Sequence, residues 1–194
     1  MLRFTDTERY RFKQPIPESV VYQQVLKLPH GSFCYSINTE KLSNIVAFGC
    51  SEEILIYDSN LHCKSHMAGK DFVRSVGYHA ESRKVYYLDR SWKVGYVTLN
   101  GFQSGKKVLD FETCNDYPRI AVSDEYLVVS NVGGYKLHVY SFSSMTSRRY
   151  FRGSGENWIR SLKFDVDSLI TLDVTGLVSK YKISETKSPE FLWS

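Results

Sequence analysis

Three arginines recur at one position of a seven-residue pattern that the chain repeats. The three copies are FVRSVGY at 72–78, YPRIAVS at 117–123 and WIRSLKF at 158–164. Each copy has an aromatic residue, an arginine two positions later, and further apolar residues; the arginines are Arg74, Arg119 and Arg160, with Tyr35 at the equivalent place in a fourth copy. Because a guanidinium group binds carboxylates and phosphates through paired hydrogen bonds, this position predicts a site for an acidic or phosphorylated ligand.

A second group of cations is interleaved with aromatic residues. Arg148, Arg149 and Arg152 flank Tyr150 and Phe151. Aromatic rings stack on nucleobases while arginines contact phosphates, so this stretch is a candidate nucleic-acid site. The alternative, which we favour, is an outer β-strand with one face packed and the other in solvent.

Linear catalytic and metal-binding motifs are absent from the sequence. There is no Gly-x-Ser-x-Gly, no His-Glu-x-x-His and no glycine-rich phosphate loop. The stretch His62-Cys63-x-x-His66 offers three ligands, whereas a structural zinc site takes four. We therefore expect no metal, no cofactor and no catalysis. An enzyme with catalytic groups scattered over several repeats is the third alternative.

The arginine pattern belongs to a longer repeat. The aromatic residues that open its copies are 39, 45 and 41 residues apart: Phe33, Phe72, Tyr117 and Trp158. A second aromatic marker has spacings of 39, 44 and 41 residues: Tyr57, Tyr96, Tyr140 and Tyr181. Two markers with the same irregular spacing indicate four repeated units.

Each unit predicts one blade of a β-propeller. It contains three apolar runs of strand length and a weaker fourth, separated by turn residues, and no helical period persists. The prediction is an all-β protein, a propeller of about four blades over residues 19–184, each blade a four-stranded antiparallel sheet. The run at 20–27 is expected to close the last blade beside 177–183, which leaves 1–18 and 185–194 as tails.

The blade arrangement gives the three arginines a structural alternative. A buried arginine is normally paired, and the innermost strand of a blade leaves little room for a free guanidinium. We therefore expect at least two of the three to pair with a residue at a neighbouring strand end and so to join blade to blade. The candidate partners are Asp89, Asn131 and Asp173.

Two repeat families share features with these units. The stretch YPRIAVSDEYLVVSN at 117–131 resembles the strand pair of NHL repeats, although it lacks the glycine that follows the arginine there. The unit length and the aromatic residue of the third strand resemble WD repeats, although Tyr57-Asp58 is the nearest match to their Trp-Asp dipeptide. The resemblance implies a rigid binding scaffold. Because these families usually close with six to eight blades, four blades mean either a small complete ring or part of a larger one.

The composition indicates where in the cell the protein is expected and which classes of partner it is expected to bind. The chain has 194 residues, a net charge of +4 and four cysteines without Cys-x-x-Cys spacing. Neither a signal-peptide pattern nor an apolar run of about 20 residues is present, so we expect the cytoplasm or nucleus and no membrane partner. The predicted function is a non-catalytic scaffold that offers its rim and channel mouth to another protein, with an acidic or phosphorylated segment as ligand. RNA binding is the alternative, and completion of the ring by another chain is also left open.

Overall fold

The protein is described by a computed structural model, and the residues it describes are antiparallel β-structure joined by turns. These residues are 33–40, 45–51, 53–58, 60, 62–68, 72–99, 109–110, 118–132, 135–152, 158–184 and 190–193. Within them, sixteen strands form four sheets of four strands each. No helix in these ranges is long and apolar enough to span a membrane.

Each sheet is one propeller blade, with its strands adjacent in chain order. Blade 1 contains β1 (Cys34–Glu40), β2 (Ile45–Cys50), β3 (Glu53–Asp58) and β4 (Cys63–Ala68). Blade 2 contains β5 (Ser75–His79), β6 (Lys84–Leu88), β7 (Lys93–Thr98) and β8 (Leu109–Asp110). Blade 3 contains β9 (Ile120–Val122), β10 (Tyr126–Val132), β11 (Tyr135–Ser141) and β12 (Ser147–Arg152). Blade 4 contains β13 (Ile159–Asp165), β14 (Ser168–Asp173), β15 (Val178–Lys182) and β16 (Glu190–Trp193).

The prediction of an all-β propeller with four blades is confirmed. The first strand of each blade is the innermost, and β1, β5, β9 and β13 surround a central channel. Neighbouring inner strands contact each other from β1 to β5, from β5 to β9 and from β9 to β13. The repeat therefore determines the architecture, because each aromatic-led run becomes an inner strand.

The apolar core lies between the blades. One cluster joins blades 1 and 2 through residues such as Ile56 and Val85, and another joins blades 2 and 3 through Leu88 and Leu127. A third joins blades 3 and 4, with Leu169 fully buried. Burying each side chain of this size contributes about 1.5–3 kcal/mol. The fourth described cluster is formed by blade 1 residues alone.

Polar side chains also connect the inner strands of neighbouring blades. In each case a backbone N–H donates to the side chain of the preceding blade: Val76 to Ser36 Oγ (3.1 Å), Tyr78 to Asn38 Oδ1 (3.3 Å) and Ile120 to Ser75 Oγ (3.1 Å). His79 of blade 2 contacts blade 3 through Nε2, which lies 2.9 Å from the carbonyl oxygen of Asp124. Because the N–H of Ser82 donates to Nδ1 (3.1 Å), Nε2 carries the proton that the carbonyl accepts.

The outer strand of blade 4 differs from the prediction. It is β16, whose Phe191 pairs with Tyr181 of β15 and whose ring lies 5.6 Å from the Tyr181 ring. The other edge of β15 pairs with β14, so the expectation that 20–27 lies beside 177–183 is wrong, as is that of a tail throughout 185–194. The reason is that the chain beyond β15 is long enough to turn back and contains its own apolar run. Residues 20–27 and 1–18 lie outside the described residues.

Candidate functional site

One end of the propeller carries the three arginines of the repeated pattern. In an antiparallel blade, the residues that lead into the inner strand lie at the same end as the turn between the second and third strands. This end, the entry face, is held together by short backbone hydrogen bonds. The N–H of Arg74 donates to the carbonyl of Leu88 (2.8 Å), and the N–H of Val174 donates to that of Trp158 (2.8 Å).

Arg74 is half-buried and contacts an aromatic ring. Its Cζ lies 5.2 Å from the centroid of the Trp92 ring, within range of a cation–π interaction. Its Nε is buried and has no hydrogen-bond partner. Trp92 itself has a φ of +62°, which is unusual for a bulky residue and marks a strained turn. The sequence gives no sign of this contact, because it depends on the conformation of the β6–β7 turn.

Arg119 and Arg160 lie in different surroundings. Arg119 lines the central channel, its Nη1 donates to the carbonyl of Pro118 (3.1 Å), and its backbone N–H donates to Ser130 Oγ (3.0 Å). Arg160 is exposed at the start of β13, and no described carboxylate forms an ion pair with it. Of the three arginines, Arg119 is the one found among the described residues that line the channel, so the three do not share one site there.

The expected pairing of the arginines with strand-end residues is wrong for the described side chains. Asp89 Oδ1 instead accepts hydrogen bonds from its own turn, from Ser91 Oγ at 2.7 Å and the N–H of Lys93 at 3.1 Å. Asp173 Oδ1 does the same in the equivalent turn of blade 4. Asn131 does join two blades, but it bonds the backbone of Ile159. These are Asx turns and an amide clamp, which satisfy the polar groups that we expected to hold guanidinium groups.

Tyr35 forms part of an exposed aromatic strip on β1. Its side chain is 43% exposed, and the nearby Phe33 and Ile37 are 70% and 60% exposed. The Tyr35 ring lies 5.0 Å from the ring of Phe72, over which the Cζ of Arg90 lies at 5.8 Å. We call Phe33, Tyr35 and Ile37 the β1 strip. Tyr35 was a candidate through its place in the repeated pattern, whereas Phe33 was noted only as a repeat marker. Arg90 was missed because it lies in a turn outside the repeated pattern.

The members of the β1 strip do not share one face of the strand, because the β1–β2 pairing is irregular between Cys34 and Ser36. Ser36 and Asn38 bond to blade 2, so Ile37 between them points away from blade 2, towards the boundary between blades 1 and 4, and lines the central cavity. Tyr35 instead contacts Phe72, which leads into blade 2. On blade 4, Leu172 and Val174 are each 38% exposed. Among the described residues, no apolar cluster spans these two blades, in contrast to the other three boundaries.

The arginines of the second basic stretch do not form one continuous surface. Arg148, Arg149 and Arg152 all belong to β12, the outer strand of blade 3. Because neighbouring side chains of a strand point to opposite faces, Arg148 and Arg149 do not share a surface. The Cζ of Arg149 lies 5.6 Å from the Tyr135 ring. The backbone of Arg152 pairs with Tyr135, and its side chain lies outside the described part.

The central channel contains a cavity of about 300 Å³. It is lined by the inner strands of all four blades, mainly by hydroxyl, amide and cationic side chains. Lys163 of β13 and Arg119 provide its positive charges, and no carboxylate is found among the described lining residues. The sequence comparison of the repeats missed Lys163, because only one unit has a cation at that position.

Two buried groups have strongly shifted pKa values. Burial lowers the pKa of His138 to about 4, and the positive charge of Arg149 on the paired strand adds to this effect. Burial raises the pKa of the Cys50 thiol to about 12, with further contributions from the neighbouring Cys34 and Glu53. Neither group lines the channel, so both are features of the packed blades.

The cluster around His62 does not form a metal site in the described part of the chain. His62 Nδ1 lies 3.5 Å from Asp58 Oδ2, which also contacts Lys64 Nζ at 3.1 Å. Across the described residues, no three His, Cys, Asp or Glu side chains are grouped closely enough to hold a metal ion.

Comparison with known proteins supports the fold alone. No family model matches the sequence, and no curated protein matches it. Among solved structures, the crystal structure of the computationally designed Ika4 protein is similar, with a TM-score of 0.61 and 17% sequence identity. The match covers 84% of this chain and 100% of that chain. The chain thus has a four-bladed β-propeller fold, and its function has to be argued from its own surface.

Proposed function

We propose that this propeller is a non-catalytic scaffold that binds another protein at its entry face, over the β1 strip. The observation that carries the proposal is the exposure of Phe33, Tyr35 and Ile37 within one short stretch at the start of blade 1. Isolated exposed apolar residues are common on proteins, but three within one short stretch are typical of an interaction surface.

The charges around the strip indicate the chemistry of the partner. Arg90 and Arg160 are exposed at the entry face, and Arg74 lies beside Trp92. Arg and aromatic residues are enriched where binding energy concentrates in protein interfaces. A partner segment with apolar side chains flanked by carboxylates or phosphates would complement this surface. The local blade features that resemble WD and NHL repeats agree with a scaffold role, and we propose that relationship for the blades without choosing between the two families.

RNA binding is less well supported by the side-chain positions. Of the two aromatic residues that were candidates for base stacking, Tyr150 packs against the cluster between blades 3 and 4, and the side chain of Phe151 lies outside the described residues. A sequence-tolerant RNA site needs open aromatic faces along a cationic groove. Cytoplasmic or nuclear location stays a proposal that follows from the sequence.

The experiment is affinity capture from nuclease-treated extract by the immobilised protein. Tyr35→Asp is compared with Met145→Asp, a matched control because Met145 is 75% exposed and lies in a turn at the opposite end of the propeller. We expect specific proteins to be captured by the unmodified protein and by the Met145 variant and lost from the Tyr35 variant. Capture that requires intact RNA, or an identical set of proteins for all three forms, would contradict the proposal.

A further inference from the structure

The first pair of residues between β1 and β2 consists of two cysteines. Cys34 begins β1 and lies opposite Cys50, the last residue of β2. Residues directly opposite each other on antiparallel strands have Cβ atoms about 4.5–5.5 Å apart, and a disulfide needs a separation of about 3.5–4.5 Å. The pairing is irregular between Cys34 and Ser36, so a small approach of the two cysteines leaves the remaining pairs of the ladder in place.

The two thiols are reduced and contact each other. Neither belongs to a disulfide. Burial raises the pKa of Cys50 to about 12, and a hydrogen bond between the Cys50 and Cys34 side chains adds to this effect. Because that bond favours the protonated form of Cys50, the Cys50 S–H is its donor. The Cys34 thiol in turn donates to the carbonyl oxygen of Ser36 at 3.3 Å.

The two cysteines differ in their access to solvent. Cys34 is exposed, whereas Cys50 is fully buried and its carbonyl oxygen accepts the N–H of Val73 at 3.1 Å. The thiolate is the reactive form of cysteine, and a buried thiol with a raised pKa is protonated and out of reach of a dissolved reagent. An oxidant therefore attacks Cys34 first, and Cys50 is the neighbouring thiol that completes a disulfide.

We propose that Cys34 and Cys50 form a site of reversible oxidation, at which hydrogen peroxide converts the two thiols into a disulfide between β1 and β2. The Cys34 thiolate attacks one peroxide oxygen, the O–O bond breaks, and the departing hydroxide takes up a proton to become water. The Cys50 sulfur then loses its proton to solvent and attacks the sulfenic acid of Cys34, so that the S–S bond forms and the S–O bond breaks. The second hydroxide leaves and is protonated to water. Two electrons pass from the sulfur atoms to one peroxide, which gives one disulfide and two waters.

The third described cysteine lies too far from this pair to compete with it. Cys63 pairs with Tyr57 on β3, whereas the residue of β3 next to the Cys50 end of β2 is Ile54, which lies opposite Gly49. Three residues of strand separate Ile54 from Tyr57, which corresponds to about 10 Å. Cys63 is exposed like Cys34, so it serves as the matched control for a general reaction of exposed thiols.

The inference is independent of any partner protein. Cys34 lies between Phe33 and Tyr35, so the new bond fixes the start of the β1 strip to β2. The reaction itself involves only the two thiols and the peroxide. Because the test uses the purified protein alone, it succeeds or fails whatever the β1 strip binds.

Peptide mapping by mass spectrometry tests the site. The reduced protein is treated with hydrogen peroxide, its remaining thiols are blocked, and it is digested without reductant. We expect a peptide that links Cys34 to Cys50 and disappears on treatment with dithiothreitol. The same treatment in urea should spread the linkages over all four cysteines, because Cys50 is closer in sequence to Cys63 than to Cys34.

Two serine variants separate this pair from other thiols. Cys34→Ser should abolish the linked peptide of Cys50, while Cys63→Ser should leave the yield of the Cys34–Cys50 peptide within twofold. Both positions are exposed, so thermal melts of the reduced variants should match that of the unmodified protein. Absence of the Cys34–Cys50 peptide from the folded protein would overturn the proposal. So would Cys34 linked equally to Cys63, or an equal loss of yield in both variants.

Discussion

The side-chain amide of Asn131 clamps the backbone of Ile159 across the boundary between blades 3 and 4. Its Oδ1 accepts the Ile159 N–H at 3.0 Å, and its Nδ2 donates to the Ile159 carbonyl at 2.7 Å. The two residues are 28 positions apart in sequence and both are buried. Asn131 has a φ of +58°, a conformation that asparagine tolerates better than most residues. The amide thus bonds to both backbone polar groups of Ile159, as a neighbouring strand would.

Replacement of Asn131 should destabilise the propeller strongly. Asn131→Asp removes the donor and places a carboxylate oxygen against the buried Ile159 carbonyl, so we expect a loss of about 2–4 kcal/mol in the free energy of unfolding. Chemical denaturation measures it. Asn60→Asp makes the same substitution at an exposed turn and should cost less than about 0.5 kcal/mol. Similar losses for both variants would show that the clamp contributes little.

Close packing between blades 2 and 3 should exclude a side chain at Gly77. A Cβ built there would lie 2.6 Å from Val122 Cγ2, so Gly77→Ala should lower the free energy of unfolding by about 1–3 kcal/mol. Adding Val122→Ala makes room and should recover part of the loss, as a double-mutant cycle would reveal. Gly176→Ala is the control, because its φ of +85° causes strain without a neighbour within 4 Å, and Val122→Ala should not rescue it.

His138 should make the protein less stable in mild acid. Its pKa is lowered to about 4 in the folded state, so the folded protein binds fewer protons than the unfolded chain between that pH and about 6.5. His138 therefore leaves the free energy of unfolding unchanged above about pH 6.5. As the pH falls towards 4, it lowers the free energy of unfolding by up to about 3 kcal/mol. Unfolding of the protein and of a His138→Gln variant across this range measures the difference. Parallel pH profiles would contradict a neutral buried His138.

The two-residue turn between β13 and β14 should be improved by glycine. Val166 is 89% exposed and has a φ of +56°, which is unfavourable for a β-branched residue. Val166→Gly relieves this strain at the cost of some backbone entropy, and we expect a net gain of about 0.5–1 kcal/mol in thermal or chemical unfolding. Since the side chain is almost fully in solvent, lost packing is a minor contribution. A destabilised variant would mean that the strain is absent.

The architecture was accessible from sequence because it is repeated four times. Each opening aromatic residue precedes an inner strand. A strand that is ambiguous in one unit can therefore be located by comparison with the other three units. The closing strand of blade 4 has no such support. Both 20–27 and the stretch after β15 contain apolar residues, and the sequence does not reveal which one pairs with β15.

The arginine environments were predicted less well, for a local reason. The turns DRSWK at 89–93 and DVTGL at 173–177 both place a Ser or Thr two residues after an aspartate, the signature of an Asx turn. That pattern shows that Asp89 and Asp173 are satisfied within their own turns and are poor partners for Arg74 or Arg160. The contact of Arg74 with Trp92 depends on a positive φ, and no residue type in the turn indicates it.

The most direct test of the binding surface is photo-crosslinking in cells. A photo-reactive amino acid is placed at the position of Tyr35 or, as the control, at the position of Met145. We predict discrete protein adducts from position 35 that resist nuclease treatment, that are absent from position 145, and that disappear when Phe33→Asp is added. Adducts that are the same at both positions, or adducts to nucleic acid alone at position 35, would contradict the account.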